Sequence, residues 1–288
     1  MKQYEVHTVG LACGETYAYR KTGNGAKKVV LIHGNMSSSV HLQTTMEALE
    51  SEYTVYAPDL RGFGDSTYDK EFDSLGELAD EVCEFIDALG IGNCYLCGWS
   101  TGGGVAMECA VARPERVMGL VLLDSVPPTG YPMFKKGPDF QPIISEPLKT
   151  KEEVASDPVQ VVPALNALKT GDRATMQYFW DLTIYHLNKP DPDDCEVYLD
   201  GIMKQRNLVD VDYALLTFNI VSRLPAIKCP ITILHGEKDM VVPLAWAQAS
   251  LSHLGDHTEL ITFAEAGHSP MTDVPEEFFG ALLTALRK

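Results

Sequence analysis

The chain lacks an excess of basic residues and has no long hydrophobic run, and each absence excludes a class of partner. Its 288 residues carry 23 Lys and Arg against 40 Asp and Glu, a formal net charge of -17. Such a charge repels nucleic acid and anionic membrane surfaces, so neither is an expected partner. No apolar stretch is long enough to cross a bilayer. The first ten residues contain no basic segment followed by a hydrophobic run, so no secretion signal is expected.

The cysteines show no pairing pattern. The seven cysteines are an odd number spread singly through segments that read as strands or helices, which favours buried, reduced thiols in the cytoplasm over a disulfide framework. Cys94 and Cys97 form one C-x-x-C, but residues three apart on a strand point to opposite faces, and no second pair completes a zinc site. The sequence also lacks a His-Glu-x-x-His motif, a carboxylate cluster and a phosphate-binding loop. We therefore expect no metal and no nucleotide cofactor. With nucleic acid and membranes also excluded as partners, we expect a small molecule as the substrate.

Short apolar runs alternate with helical patterns over most of the chain. An opening hairpin is predicted at residues 3–9 and 15–20, and later strands at residues 29–33, 54–58, 94–98, 117–124, 231–235 and 259–263. Residues 74–90 place their apolar side chains on one helical stripe, which predicts a helix with its acidic side chains, Glu81 among them, on the other faces. Strands that alternate with helices predict an α/β fold, with a mostly parallel central sheet and helices on both of its faces. The functional loops of such a sheet lie at the carboxyl ends of its strands.

Residues 127–224 break this alternation and predict an insertion. The segment opens with many prolines and then shows two helical patterns. We interpret it as a largely helical lid on a core domain formed by residues 1–126 and 225–288. It holds ten of the 25 aromatic residues, which favours an apolar substrate cavity beneath it, with Tyr131 and Trp180 as candidate lining residues. The alternative is that each aromatic side chain only packs the lid onto the sheet.

Residues 97–104 follow an apolar run and begin a helical one, with the pattern Gly-x-Ser-x-Gly centred on Ser100. This pattern is typical of a nucleophile elbow, a sharp turn from strand to helix that exposes the serine hydroxyl at the edge of a sheet. Gly98 and Gly102 have no Cβ atom, so the helix can begin close against the strand. Trp99, beside the serine, is a candidate substrate-binding residue.

A serine hydroxyl needs a nearby base to act as a nucleophile, and the base needs a carboxylate to orient it. Asp239 follows the predicted strand at 231–235, and His268 follows the one at 259–263. The order Ser, Asp, His along the chain is the order expected when such a triad is built on an α/β sheet. Asp124 ends another predicted strand and is the alternative carboxylate for the histidine.

Five motifs spread over nearly the whole chain resemble the α/β-hydrolase superfamily, in its lidded, esterase-like branch. They are His33-Gly34-Asn35, residues 59–66 (Asp-Leu-Arg-Gly-Phe-Gly-Asp-Ser), the elbow at Ser100, Gly236-x-x-Asp239 with Pro243, and Gly267-His268. The resemblance implies that Ser100 is the nucleophile, that His268 is the general base and then the general acid, and that Asp239 holds the imidazole.

The resemblance also implies an oxyanion hole formed by two backbone N–H groups. One belongs to Thr101, at the start of the helix after the nucleophile, and the other to Asn35 in the turn after His33. The His-Gly-Asn triplet is similar to that of haloalkane dehalogenases, but those enzymes have an aspartate where this chain has Ser100, so dehalogenation is not expected. The Asn35 side chain is then either an added donor to the substrate or a group that stabilises its own turn.

These residues predict a serine hydrolase that cleaves a small or medium carboxylic ester, or a lactone or thioester, through an acyl-enzyme. Two alternatives use the same residues. The first is a small-molecule receptor with vestigial hydrolysis, and the second is perhydrolysis or carbon-carbon bond cleavage on the same triad. The sequence predicts neither the identity of the substrate nor the oligomeric state.

Overall fold

A computed structural model describes all 288 residues of the chain, and an eight-stranded sheet forms its centre. The strands of this sheet are β1 (Val6–Gly10), β2 (Thr16–Thr22), β3 (Lys27–Ile32), β4 (Tyr53–Pro58), β5 (Cys94–Trp99), β6 (Val117–Leu123), β9 (Ile231–Gly236) and β10 (Thr258–Phe263). They lie in the order β1-β2-β4-β3-β5-β6-β9-β10. The β1–β2 and β2–β4 pairs are antiparallel and the other pairs are parallel, so the predicted α/β architecture is confirmed.

Every predicted strand is present, with small differences at the ends. β1 begins at Val6 rather than at residue 3, because the N–H of Tyr4 donates to the side chain of Gln43, at 2.9 Å, instead of to a neighbouring strand. β2 continues beyond its predicted end, since its last residues pair with β4.

The sheet separates two hydrophobic cores, as expected for a parallel sheet covered by helices. In β3, Val30 and Ile32 belong to one core and Val29 and Leu31 to the other, and all four side chains are fully buried. The helices are α1 (Gln43–Leu49), α2 (Leu75–Ala88), α3 (Thr101–Ala112), α4 (Lys151–Ala155), α5 (Val162–Thr170), α6 (Arg173–Thr183), α7 (Pro192–Ile202), α8 (Leu208–Thr217), α9 (Leu244–Leu254), α10 (Pro270–Asp273) and α11 (Pro275–Ala285). Side chains of α2, α3 and α9 join the first core, and those of α1 and α11 join the second. None of these helices combines the length and the apolar character that a bilayer span requires.

One prediction about α2 is wrong. Its apolar stripe is buried as predicted, but Glu81 is buried as well, with 4% of its surface exposed. The Glu81 carboxylate accepts a hydrogen bond from the Tyr17 hydroxyl at 2.8 Å and forms an ion pair with Arg61 at 3.0 Å. These two partners offset part of the cost of burying a charge, although burial still raises the pKa of Glu81 to about 7. Both lie far from α2 in the sequence, so the helical pattern could not indicate them.

The turn from β5 into α3 has the backbone geometry of an elbow. Ser100 has φ 56° and ψ -121°, a strained conformation for a residue that carries a side chain. A Cβ atom at Gly98 would lie 2.2 Å from the carbonyl oxygen of Gly102, and one at Gly102 would lie 2.3 Å from that of Ile32. Glycine is therefore required at both positions for α3 to begin against β5 and β3, as the sequence predicts.

Between β6 and β9 the chain leaves the main sheet. Residues 127–224, here named the insert, hold the five helices α4–α8 and a separate antiparallel ribbon of β7 (Phe134–Lys136) and β8 (Pro142–Pro147). The helical character of the insert is predicted from the sequence, but this ribbon is not, because its short, irregularly paired strands carry too little periodicity to be recognised. Side chains of the insert share a cavity with residues at the carboxyl end of β5.

We expect Glu81→Ala to lower the free energy of unfolding by about 3 kcal/mol, because it leaves the buried Arg61 without its closest acidic partner. Asp80→Ala is the matched control. It removes an exposed carboxylate of the same helix and should change the free energy of unfolding by less than about 0.5 kcal/mol. Urea unfolding at equilibrium measures both variants, and equal effects would contradict the assigned buried pair.

We expect Gly102→Ala to lower the free energy of unfolding by about 2 kcal/mol or more, because the added methyl group would overlap two backbone carbonyl groups of the β3 end. The control is Gly280→Ala on α11, where nothing lies within 4 Å of the added Cβ. Alanine at this exposed helical position should stabilise the protein by up to about 1 kcal/mol. Thermal and urea unfolding test the pair, and a Gly102→Ala protein as stable as the parent would disprove the close packing at the elbow.

Candidate active site

Ser100 is fixed by contacts on both sides of its backbone. Its N–H donates to the carbonyl oxygen of Leu123 at 2.9 Å, and its own carbonyl oxygen accepts from the N–H of Gly103 at 2.9 Å. The turn after β3 approaches it so closely that a Cβ at Gly34 would lie 2.9 Å from the Ser100 Cβ. The serine therefore has a defined position against β6, α3 and this turn, and it lines a mostly apolar cavity.

His268 and Asp239 are joined by a hydrogen bond of 2.7 Å between Nδ1 and Oδ2. The other oxygen of Asp239 accepts from the N–H groups of Val241 and Val242, at 2.7 and 2.9 Å. Both side chains are buried, and His268 lines the same cavity as Ser100. The structure has no hydrogen bond between Ser100 and His268, and such bonds in enzymes often tighten only when substrate is present.

The charge state of Asp239 determines which nitrogen of His268 carries a proton. Burial alone would raise the pKa of Asp239, but the charge and hydrogen bond of His268 hold that pKa below its ordinary value. An ionised carboxylate only accepts hydrogen bonds, so Nδ1 of His268 carries the proton that it donates. Nε2 of the neutral imidazole is then free to accept a proton from another group.

Asp124, the alternative carboxylate, lies near this pair but does not bond to the histidine. It is fully buried. One of its oxygens accepts from the N–H of Gly236 at 2.8 Å, and the other makes no hydrogen bond. Burial, followed by the negative charge of Asp239, raises the pKa of Asp124 well above its ordinary value, which favours the neutral acid. Of the two candidates, only Asp239 contacts His268 directly.

Asp124, Asp239 and His268 are also the one group of possible metal ligands in the chain, with ligand atoms within 4.8 Å of one another. Metal ligands must be deprotonated. Here the histidine Nδ1 is protonated in its bond to Asp239, and the environment of Asp124 favours its neutral form. The donor set therefore fits a hydrogen-bonded cluster rather than a metal centre.

The Asn35 side chain is held by its own turn and by the insert. Its Oδ1 accepts from the N–H of Met36 at 2.9 Å and from Gln205 at 2.7 Å, and its Nδ2 donates to Asp212 at 3.0 Å. These contacts agree with the turn-stabilising alternative from the sequence analysis. The backbone N–H of Asn35 makes no hydrogen bond within the protein, as an oxyanion donor requires before substrate binds.

Thr101 supplies a second backbone donor beside the serine. It is the first residue of α3, where an N–H has no acceptor within its own helix. The helix dipole also favours negative charge at this end. Thr101 and Asn35 line the same cavity as Ser100, so two candidate donors are available near its hydroxyl.

The cavity has a volume of about 370 Å³ and is lined mostly by apolar side chains. All four predicted substrate-binding residues line it: Asn35, Trp99, Tyr131 and Trp180. The Trp99 indole N–H donates to the carbonyl oxygen of His268 at 2.8 Å. The rings of Trp99 and Trp180 meet edge to face, with their centroids 6.0 Å apart. Trp99 thus connects the elbow to the histidine loop, and Trp180 brings the insert against it.

Several lining residues were not indicated by the sequence. Most are apolar, among them Met36, Ile184 and Met240, and one is a carboxylate, Asp212. They lie in loops or in the insert, where no motif marks a lining position. The only sequence signal for Asp212 was an acidic residue within the apolar run that forms α8.

Comparison with known proteins places the chain among hydrolases. Residues 29–281 match the family described as the alpha/beta hydrolase family. A pimeloyl-[acyl-carrier protein] methyl ester esterase from Nitrosomonas europaea is 27% identical over 262 residues, which cover 89% of this chain and 94% of that protein. The protein of the same name from Aliivibrio fischeri is 28% identical over 275 residues, which cover 95% of this chain and 98% of that protein.

A solved structure shows the same fold. An esterase from Exiguobacterium antarcticum has a TM-score of 0.77 at 21% identity, covering 99% of this chain and 100% of that one. The family match extends over most of the chain and includes the elbow, the Asp239 loop and the His268 loop. This protein therefore belongs to the alpha/beta hydrolase family.

Proposed function

We propose that this protein is a carboxylic ester hydrolase that acts through an acyl-enzyme on Ser100. The observation that carries the proposal is one cavity that contains the strained elbow serine, the imidazole bonded to Asp239 and an unbonded N–H of Asn35. Acyl transfer requires a nucleophile, a base with an orienting carboxylate and donors for the oxyanion. The names of the two related esterases support the same reaction class.

The proposed reaction begins when Ser100 Oγ attacks the ester carbonyl carbon and its proton passes to His268 Nε2. The carbonyl oxygen becomes an oxyanion that accepts hydrogen bonds from the N–H groups of Asn35 and Thr101. The bond to the alcohol oxygen then breaks, and that oxygen takes the proton from His268. Water repeats the sequence on the acyl-enzyme, releases the carboxylic acid and restores the serine hydroxyl.

The two buried carboxyl groups have different proposed roles, which follow from their surroundings. Asp239 stays ionised, holds the Nδ1 proton of His268 and stabilises the imidazolium that forms during attack. Asp124 is a neutral acid whose one hydrogen bond braces the backbone of Gly236, at the start of the Asp239 loop. It is therefore a structural support rather than the triad acid.

The insert is the proposed lid of this site, on the core formed by residues 1–126 and 225–288. It contributes Tyr131, Trp180 and other apolar walls to the cavity. The insert is also tied to the core, because the N–H of Arg206 donates to the carbonyl oxygen of Gly62 at 2.9 Å. A cavity of about 370 Å³ suits small and medium esters. The relatives are named methyl ester esterases, which favours a short alcohol.

We expect the protein to hydrolyse part of a p-nitrophenyl ester series from acetyl to dodecanoyl, and Ser100→Ala to lower kcat by about 10⁴-fold or more, because the variant has no nucleophile. The preferred chain length then gives the size of the pocket. Thermal unfolding of the variant serves as the folding control. If the parent turns over no ester but gains thermal stability with a small ligand, the receptor alternative replaces the esterase. Equal turnover by parent and variant would exclude Ser100 as the nucleophile.

We expect Asp239→Asn to lower kcat by about 10³-fold or more, since an amide cannot hold the Nδ1–H tautomer or stabilise the imidazolium. Asp124→Asn should lower kcat by less than about tenfold, because an amide resembles the neutral carboxyl group that the buried site favours. Initial rates on the best ester of the series compare the two variants. The reverse ranking would assign the triad acid to Asp124.

A further inference from the structure

The cavity contains one carboxyl group that the proposed reaction does not use. Asp212, on α8, is the only Asp or Glu among the lining residues, and no Lys or Arg lines the cavity. The surrounding walls are mostly apolar, with Tyr131 and Met133 among them. A carboxyl group in such a place is unfavourable unless it is hydrogen-bonded or paired with a cation.

The protein forms a hydrogen bond with only one of the two oxygens of the Asp212 carboxyl group. Asp212 Oδ1 accepts one hydrogen bond, from Nδ2 of Asn35 at 3.0 Å, and the second oxygen has no partner in the protein. The charge that acts on it most strongly is negative, from Asp157, which is itself paired with Lys136 at 3.0 Å, and no cation pairs with Asp212. Burial, followed by Asp157, raises the pKa of Asp212 to about 7. The free oxygen is therefore an acceptor that a bound molecule can reach, and it is ionised in mildly alkaline solution.

The hydrogen bond between Asn35 and Asp212 also limits the distance from Asp212 to the proposed oxyanion site. The Asn35 N–H is the proposed oxyanion donor, and Asp212 bonds to the same residue's side chain. Four covalent bonds and one hydrogen bond of 3.0 Å separate the backbone nitrogen of Asn35 from Oδ1 of Asp212, so these two atoms lie at most about 8 Å apart. The free oxygen, Oδ2, lies about 2 Å from Oδ1 and so at most about 10 Å from the Asn35 nitrogen, a distance that a short substrate chain can span.

We propose that Asp212 is a specificity-determining residue that accepts a hydrogen bond from an ammonium or hydroxyl group on the substrate and disfavours esters that carry a second, free carboxylate. This inference rests on the proposed function, because it concerns the same cavity. An ammonium group satisfies the free oxygen and neutralises the charge, and a hydroxyl group satisfies the oxygen only. A carboxylate would meet a like charge in an apolar cavity that has no Lys or Arg.

The simplest competing explanation is that Asp212 only orients Asn35 and so positions the oxyanion turn. The two roles differ in what a substitution changes. A positioning residue affects all esters by the same factor, whereas a specificity residue changes the ratio between esters that differ only in the group near its carboxylate.

The experiment compares methyl esters whose acyl chains end in ammonium, hydroxyl, methyl or carboxylate, with two to five methylene groups in between. A second set places the same groups on the alcohol of acetate esters. At pH 8 we expect the parent to favour the ammonium ester over its methyl analogue by about tenfold in kcat/KM in one of the sets, and to use the carboxylate ester least. Asp212→Asn should bring the members of that set within about threefold of one another. Asp193→Asn, which removes one exposed carboxylate of the insert, should leave the order of the parent unchanged.

Binding of the same esters to Ser100→Ala, measured by calorimetry, keeps this inference separate from the esterase proposal. If the parent hydrolyses none of the esters but Ser100→Ala binds the ammonium ester more tightly than the carboxylate ester, the proposed reaction fails and the specificity inference stands. The inference is overturned if Asp212→Asn lowers kcat/KM of every ester by one common factor, or if Ser100→Ala and the Ser100→Ala/Asp212→Asn double variant show the same order of affinities.

Discussion

The site depends on three backbone segments that pack so closely that no side chain would fit at their points of contact. β5 ends at Trp99, α3 begins at Thr101, and the end of β3 lies against both, with glycine at each point of contact. This packing forces Ser100 into a positive φ, and the strain is held by the surrounding sheet and helix. The same contacts place the turn that carries Asn35 beside the serine. The proposed nucleophile and the proposed oxyanion donor are thus positioned by one packing arrangement rather than by two.

The relative positions of Asp239, His268 and Asp124 follow from the order and register of three strands in the sheet. β9 and β10 are parallel neighbours, so the loops that carry Asp239 and His268 leave the same edge side by side. β6 is the other neighbour of β9 and brings Asp124 to the same place. The two aspartates therefore share one buried region. Their surroundings raise the pKa of Asp124 and lower that of Asp239. Hydrogen bonds from two N–H groups and one imidazole favour the ionised form of Asp239, and Asp124 has a single N–H partner.

The sequence predicts the parts of the fold and site that depend on local pattern. The strands of the central sheet and the elbow follow from apolar periodicity and from glycine spacing, and the Asp239 and His268 loops follow from their places after strands. Glu81 and Asp212 could not be found in this way, because each is defined by partners far away in the chain. The partners of Glu81 come from the segments around Tyr17 and Arg61, and Asp212 reaches the cavity only because α8 folds back toward Asn35. Long-range contacts of polar groups leave no periodic trace in a single sequence.

Covalent labelling would show whether Ser100 is the nucleophile of an acyl-transfer site. The folded protein would be treated with a fluorophosphonate, and intact-mass measurement and peptide mapping would locate the adduct. We expect one adduct per chain, on Ser100, formed much more slowly in Asp239→Asn because the imidazole is then no longer held as the base. Rapid labelling at another residue, or no labelling of a fully folded protein, would contradict this assignment.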